Sequence, residues 1–343
     1  MNNVSKAKIA DVAKKAGVSV ATVSRVINGM ENVKEGTKKR VLKAMSELSY
    51  SPNALARNLR KNASNAVLVL TPNFTNPYYS HILAGISNCA TEKGYSALIV
   101  PFNTSEEAER LMKNLLDSNK ADGVIILGLH VEDVWIKKYK KQYRMVQCTE
   151  YIEDENSIPY IAIDNYCAMY SMTKYIQSMG HKRIALVIND NKFESTKLRL
   201  KGFKDAIKES EYKYDFEKYI YYGKDYSFET GVDAATKLLS IPKTPTAILC
   251  ISDILALGVI SGANEMNIEV PRELSVTGFD DVDYTKMFHP FLTTVKQPCY
   301  ELGVASMELI YKQITGEKFK TDNIIPYELK IRESAIGISV VQA

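Results

Sequence analysis

A small all-α head followed by an α/β body of two lobes is the fold class that this 343-residue chain predicts. Three observations carry it. Residues 9–29, IADVAKKAGVSVATVSRVING, hold two short apolar-periodic segments separated by Ala16-Gly17-Val18-Ser19. Residues 1–64 hold thirteen Lys/Arg against four Asp/Glu and so carry +9, whereas the rest, with 31 basic and 36 acidic residues, carries −5. From Ala66 onward, short apolar runs alternate with longer helical stretches. A chain of this length exceeds one ordinary core, so two or three domains are expected.

In the first segment Ile9, Val12, Ala13 and Ala16 fall at i, i+3, i+4 and i+7, the stripe of an amphipathic helix. Gly17 can take the left-handed conformation that ends it. Ser19 is a good N-cap for the next helix, whose buried face is Val23, Val26 and Ile27. Two short helices joined by a tight glycine turn make a helix-turn-helix, and the second helix of such a motif enters the major groove of DNA. That accounts for the small polar residues there. Val20, Ala21, Thr22, Ser24, Arg25 and Asn28 lie off the stripe or at its edge, and Arg25 can donate two hydrogen bonds to guanine. The plainer alternative is a helical hairpin with a solvated polar face, and the +9 charge weighs against it. A third helix is expected over about 35–48, with Val41, Leu42, Met45 and Leu48 closing a small core.

The stretch YSPNALARNLRKNAS follows at residues 50–64. Pro52 opens it, and residues 53–59 could form a short helix, marginal on its own. Leu59 could serve as an apolar wedge in a minor groove; a flexible linker is the alternative. These two stretches together resemble the head of the LacI/GalR family of bacterial transcription regulators, and the resemblance covers nearly the whole chain. It implies that Val20, Ala21, Ser24, Arg25 and Asn28 face bases and phosphates in the major groove. It also implies that Asn53, Ala56 and Leu59 face the minor groove, with Leu59 between the two central base pairs of a palindrome. The domains are then a head over 1–50, a hinge or linker over 51–64, and a body over 65–343.

In the body, AVLVLT (66–71), YSALIVPF (95–102), GVIILG (123–128) and YIAID (160–164) form one set of runs. RIALVI (183–188), YIYYG (219–223), TAILCIS (246–252) and LSVTGFD (274–280) form a second. Continuous apolar strands separated by helices mean βαβ units and parallel sheets covered on both faces, hence two doubly wound lobes. The resemblance implies a type I periplasmic-binding-protein-like body whose chain crosses between lobes three times, near 163, 293 and 325. The N-terminal lobe would then hold about 65–163 and 294–325, and the C-terminal lobe about 164–293 and 326–343.

Ligands of open α/β sheets bind beyond the carboxyl ends of the strands. There the sequence places Asn76, Tyr78 and Tyr79, then Tyr226, Asp253 and Asp280. Carboxylates and aromatic faces suit a polyhydroxylated ring. Each residue has a plainer role available: Asp253 as a helix cap, Asp280 as a turn cap, Tyr78 and Tyr226 as core or rim aromatics, and Arg199 as a solvated helix charge. The resemblance implies that Tyr78, Arg199, Tyr226, Asp253 and Asp280 together line an effector cleft. Glu150 follows the fourth strand, and a part for it in ligand choice is an open question at this level.

Enzyme classes find little support. The sequence has no GxSxG, no HExxH and no phosphate-binding glycine loop. Its four histidines lack paired metal spacing, and the acidic cluster Asp280, Asp281 and Asp283 could hold a cation. No cofactor is called for. Five scattered cysteines without CxxC spacing read as reduced thiols. With no apolar run long enough to span a membrane and no apolar signal core, a cytosolic protein without a membrane partner is expected.

The expectation is a repressor that binds a palindromic operator as a homodimer and answers to a sugar or sugar derivative. A solute-binding protein would lack the basic head. Catabolite control proteins, which bind a phosphorylated carrier protein, carry a basic residue where this chain has Glu308, and an acidic one would repel a phosphoprotein.

Overall fold

The computed structural model describes residues 7–27, 33–50, 63–72, 76–130, 132–133, 135–152, 158–189 and 193–338. The chain divides into two compact units, Met1–Ser64 and Asn65–Ala343.

The first unit contains α1 (Ile9–Ala16), α2 (Val20–Ile27) and α3 (Glu35–Glu47). Gly17 ends α1 in the left-handed region at φ 63°, and the Ser19 hydroxyl accepts the Thr22 N–H at 3.1 Å to start α2. Val12, Ala13, Ala16, Val23, Val26, Val41 and Ala44 make the buried core, with Met45 and Leu48 packed on it. Leu42 does not belong to that core, because it is 49% exposed. The inward face of α3 is set by Val41, Ala44, Met45 and Leu48, and a residue one step from Val41 is rotated about 100° away from it.

The second unit is built on two six-stranded sheets. The first lobe holds β1 (Ala66–Thr71), α4 (Pro77–Glu92), β2 (Ser96–Pro101), α5 (Ser105–Asp117), β3 (Gly123–Leu127), α6 (Trp135–Tyr139), β4 (Met145–Cys148) and β5 (Tyr160–Ala162). The second holds α7 (Asn165–Ser178), β6 (Ile184–Asn189), α8 (Glu194–Lys208), β7 (Ile220–Gly223), α9 (Phe228–Leu239), β8 (Ala247–Cys250), α10 (Asp253–Glu265), β9 (Ser275–Asp280) and β10 (Thr293–Lys296). The chain then returns to the first lobe for α11 (Cys299–Thr315) and β11 (Asp322–Ile324), and ends in the second with β12 (Glu328–Lys330). Strand orders are β11-β5-β4-β3-β1-β2 and β12-β10-β9-β8-β6-β7. All pairings are parallel except β10 with β12. β1, β3, β4, β6, β8 and β9 are buried along their whole length, as expected of strands covered by helices on both faces.

The passages between lobes follow β5, β10 and β11. The middle one corrects the expectation of a crossing near 293. Thr293–Lys296 still pairs with β9 in the second sheet, and the chain leaves at Gln297-Pro298. Three β-branched residues, Thr293, Thr294 and Val295, favour extending that sheet, and Pro298, which has no N–H to donate, stops it. Return to the first lobe is fixed by close packing of α4 on α11. A Cβ on Gly85 would meet the Tyr300 carbonyl oxygen at 2.1 Å, and one on Gly303 would meet that of Ile82 at 2.1 Å.

Candidate functional site

The head presents one face of α2 to solvent. Val20 is 39% exposed, Ala21 and Arg25 are exposed, and Ser24 is half-buried. These four fall at i, i+1, i+4 and i+5, opposite the buried Val23 and Val26, so a shallow polar strip with one guanidinium faces outward. Asn28, Asn53, Ala56 and Leu59 lie outside the described residues.

The body forms a half-open cavity of about 570 Å³ between its lobes, at the carboxyl ends of both sheets. Pro72, Asn76, Pro77, Tyr78, Tyr79 and Glu150 line it from the first lobe. Phe193, Ser195, Arg199, Asp225, Tyr226, Ile251, Asp280 and Tyr284 line it from the second, with Gln297 at the crossing. The structure thus brings Tyr78, Arg199, Tyr226 and Asp280 together, four of the five residues expected there.

Arg199 is held as a fixed tool rather than a solvated charge. It rises from α8 with only 6% exposure. Its Nε donates to Asn165 Oδ1 at 2.9 Å, its Nη1 donates to the Ile251 carbonyl at 2.7 Å, and its guanidinium lies 3.6 Å over the Phe279 ring. Nη2 has no protein partner among the described residues. The only polar side-chain atoms both buried and unpaired there are Asn189 Oδ1 and Thr277 Oγ1, so Nη2 is open to the cavity.

Asp280 ends β9 and shows where the backbone has been bent for the site. Its φ is 121°, and that of Asp281 is 59°, both in the region that favours glycine. A non-glycine residue held so costs of order 1–3 kcal/mol and persists where surroundings over-determine it. Asp280 Oδ1 accepts Gln297 Nε2 at 2.8 Å, and Gln297 Oε1 accepts the Tyr78 hydroxyl at 3.3 Å, a polar chain from one lobe to the other. Burial pushes the Asp280 carboxyl up to about 7, with Arg199 and Gln297 pulling the other way. The turn-capping role goes to its neighbour: Asp281 Oδ1 accepts the Thr285 hydroxyl at 3.1 Å and Arg332 Nη2 at 2.5 Å. Asp281 is thus committed to protein partners, and no group of three or more metal-ligating side chains that could hold an ion occurs among the described residues.

Asp253 is a correction. It is 0% exposed and does not line the cavity. Its Oδ2 accepts the Val282 N–H at 2.8 Å and its Oδ1 accepts the Thr294 hydroxyl at 2.5 Å, so it ties the loop after β9 to β10. Nor does it cap its own helix, because Ser252 does, accepting the Leu255 N–H at 3.3 Å. Burial drives its carboxyl well above the usual range, and the nearby Asp280 charge adds to the rise.

The remaining aromatics frame the space. Tyr226 hydroxyl lies 3.3 Å from Thr196 Oγ1, and Tyr78 meets Tyr79 edge-on at 5.2 Å between centroids. Burial raises the phenols of Tyr78 and Tyr79 well above their ordinary value, so both are neutral hydroxyls at any working pH. Glu150, left open at the sequence level, sits in the wall 7% exposed, and Ser195 of α8 occupies both of its oxygens. Sequence reasoning missed Ser195, Asn165 and Gln297. Asn165 and Ser195 lie in the first turn of a helix that comes after a strand, and Gln297 directly follows β10, which was the available signal for it after TTVK.

This architecture has known counterparts. Residues 8–53 match the model of the lacI family of bacterial regulatory proteins, and residues 173–335 match that of periplasmic binding protein-like domains. The chain is 35% identical over 330 residues to the HTH-type transcriptional repressor CytR of Escherichia coli strain K12, covering 96% of each. It is 35% identical over 329 residues to catabolite control protein A of Priestia megaterium, covering 95% of this chain and 98% of the relative. Among solved structures, the Lac repressor dimer bound to operator and the anti-inducer ONPF is 27% identical with a TM-score of 0.88, over 96% of this chain and 99% of that one. The complex of the transcriptional regulator CelR with cellobiose is 28% identical with a TM-score of 0.72, over 96% and 99%. A helix-turn-helix head, a two-lobed binding body and this degree of identity along nearly the full length lead to one conclusion: the chain belongs to the LacI family of bacterial transcriptional regulators.

Proposed function

We propose that the protein is a transcriptional repressor that binds a palindromic operator as a homodimer and changes its operator affinity when a small sugar or sugar derivative enters the cleft. The observation that carries this reading is the pairing of two separate devices in one chain. One unit offers a short helix with Val20, Ala21, Ser24 and Arg25 on a face open to solvent. The other holds a half-open cavity of about 570 Å³ in which an arginine and an aspartate each keep one polar atom free for a ligand.

The two tasks differ in chemistry. A duplex major groove needs small side chains and a fork of donors. A polyol needs acceptors and donors on a dry wall, with aromatic faces for its C–H surface, as Asp280, Arg199, Tyr78 and Tyr226 supply. Neither device transfers a bond, so the protein acts by binding. Identity of the relatives supports the same reading, since the Lac repressor structure holds operator and CelR holds cellobiose. Two heads on one palindrome follow from matching two-fold symmetry. The test is a fluorescence-anisotropy titration of the protein on DNA upstream of its own gene, with and without a library of sugars. Binding that no sugar alters, together with no sequence preference, would defeat the proposal.

A further inference from the structure

We infer that the cleft is built for an uncharged, hydroxyl-bearing ligand and turns phosphorylated ones away, with Glu150 the residue that enforces the choice. The inference rests on reading the cleft as the effector site.

Helix N-termini bind phosphate because their first N–H groups point outward unpaired at the positive end of the helix dipole. Four helices begin at this cavity, α4, α8, α9 and α10, so a phosphate site would be the simplest thing for the fold to make. Each of the four is already stopped by an acceptor of the protein's own. At α4 the Asn76 side chain takes the Tyr78 N–H at 3.0 Å, and Pro77 has no N–H to offer. At α9 the Ser227 hydroxyl takes the Thr230 N–H at 3.2 Å, and Asp225 Oδ1 backs it by taking the Ser227 N–H at 3.0 Å and the hydroxyls of Ser227 and Thr230 at 2.6 Å each. At α10 Ser252 takes the Leu255 N–H.

The case of α8 is different in kind. Its N-cap residue is Phe193, whose side chain cannot accept a hydrogen bond, and no local cap is made. The acceptor comes from the other lobe: Glu150 Oε2 takes the Ser195 N–H at 3.1 Å and Oε1 takes the Ser195 hydroxyl at 2.5 Å. A carboxylate thus stands where an incoming phosphate would dock.

The charge balance agrees. Among the described residues lining the cavity, Arg199 is the one cation, against Asp225, Glu150 and Asp280. Asp225 is held ionised by its three hydroxyl and amide donors, which already offsets Arg199. Glu150 and Asp280 can then only subtract, whatever their protonation. Arg199 has also committed Nε and Nη1, leaving a single Nη2 rather than the fork that grips a phosphate. What remains free is Asp280 Oδ2 as acceptor and Arg199 Nη2 as donor, a pair suited to neutral hydroxyls.

The experiment is calorimetry on the full-length protein with matched probes: glucose and glucose 6-phosphate, ribose and ribose 5-phosphate, cellobiose and its phosphate. The wild type should bind at least one neutral member, and bind its phosphorylated counterpart at least about a hundredfold more weakly. At pH 8 and above, where the Glu150 carboxyl, lifted to about 7, is ionised, Glu150→Gln should narrow that gap by roughly tenfold, because it removes a negative charge from the start of α8. Wild-type protein that binds a phosphorylated member within tenfold of its neutral counterpart overturns the inference, and that arm needs no variant to fold. A folded Glu150→Gln protein with an unchanged gap overturns the part assigned to Glu150. Silence from every probe, neutral and phosphorylated, overturns instead the sugar-site reading beneath it.

Discussion

Glu150 and Ser195 join the two lobes through a helix cap made in trans: a carboxylate following β4 accepts both the backbone N–H and the hydroxyl at the start of α8. Burial pushes that carboxyl from its ordinary 4.5 up to about 7, while Ser195 and Arg199 pull it down and Glu194 adds to the rise. The folded protein therefore holds this proton more tightly than the unfolded chain. Its contribution to stability is fully present below about pH 4.5 and is lost as pH rises through 7. The whole change is of order 3 kcal/mol. Thermal unfolding of the wild type should fall in midpoint from pH 5 to pH 8, and Glu150→Gln, which cannot ionise, should flatten that decline. Parallel curves for the two proteins would show that Glu150 does not titrate in this range.

Arg25 is the one cation on the exposed face of α2, and the groups around it are small. Arg25→Ala should cost roughly 1–3 kcal/mol on operator DNA if the guanidinium grips a guanine edge. Binding to random DNA should weaken much less. Anisotropy titrations on both duplexes at one salt concentration decide it, and equal losses would make Arg25 a phosphate contact.

The parts of this molecule that could be read from sequence are those whose physics is local. Gly17, Ser19 and the Ile9 to Ala16 stripe marked the head because a left-handed stop, a cap and a 3.6-residue period are all written in consecutive residues. Strands such as AVLVLT were legible because burial on both faces leaves only apolar side chains. The middle crossing was misplaced because TTVK reads equally well as the end of a lobe or as one more strand, and pairing with β9 decides between them. Asp253 and Asp280 look alike in sequence, each following a strand. What separates them is their surroundings: the Val282 N–H and the Thr294 hydroxyl take up both oxygens of the first, which has no exposure, while the second, at a backbone φ of 121°, lines the cavity. The cap of α8 by Glu150 was out of reach, because its two residues lie 45 positions apart and in different lobes.

Asp253 should behave as a structural residue. In Asp253→Ala the Val282 N–H and the Thr294 hydroxyl lose their acceptor inside a site with no exposure. Each orphaned donor costs about 1–3 kcal/mol, so the midpoint of thermal or urea unfolding should drop clearly. Protein that remains folded should still bind effector with an affinity close to wild type. A large loss of effector affinity with unchanged stability would return Asp253 to the ligand.

Arg199 should show the opposite pattern, and it separates sensing from DNA binding. Arg199 and Asp280 line the same cavity, each with one polar atom free of protein partners, so the two can clamp hydroxyls of one ligand. A charge-assisted hydrogen bond is worth about 1.5–3 kcal/mol, so Arg199→Ala should weaken effector affinity by roughly ten- to a hundredfold. The same side chain also pins Asn165 and the Ile251 carbonyl and covers Phe279, so some stability is lost with it. Asp280→Asn serves as the companion variant, since it keeps the volume and the capacity to accept at one atom while removing the charge. The head belongs to a separate compact unit, and operator affinity without effector should therefore change little in either variant. Calorimetry with effector and anisotropy with operator are to be run on the same preparations. Normal effector binding by Arg199→Ala would remove it from the site. Loss of operator binding in the absence of effector would mean that Arg199 holds the body together and that its place at the cavity is incidental.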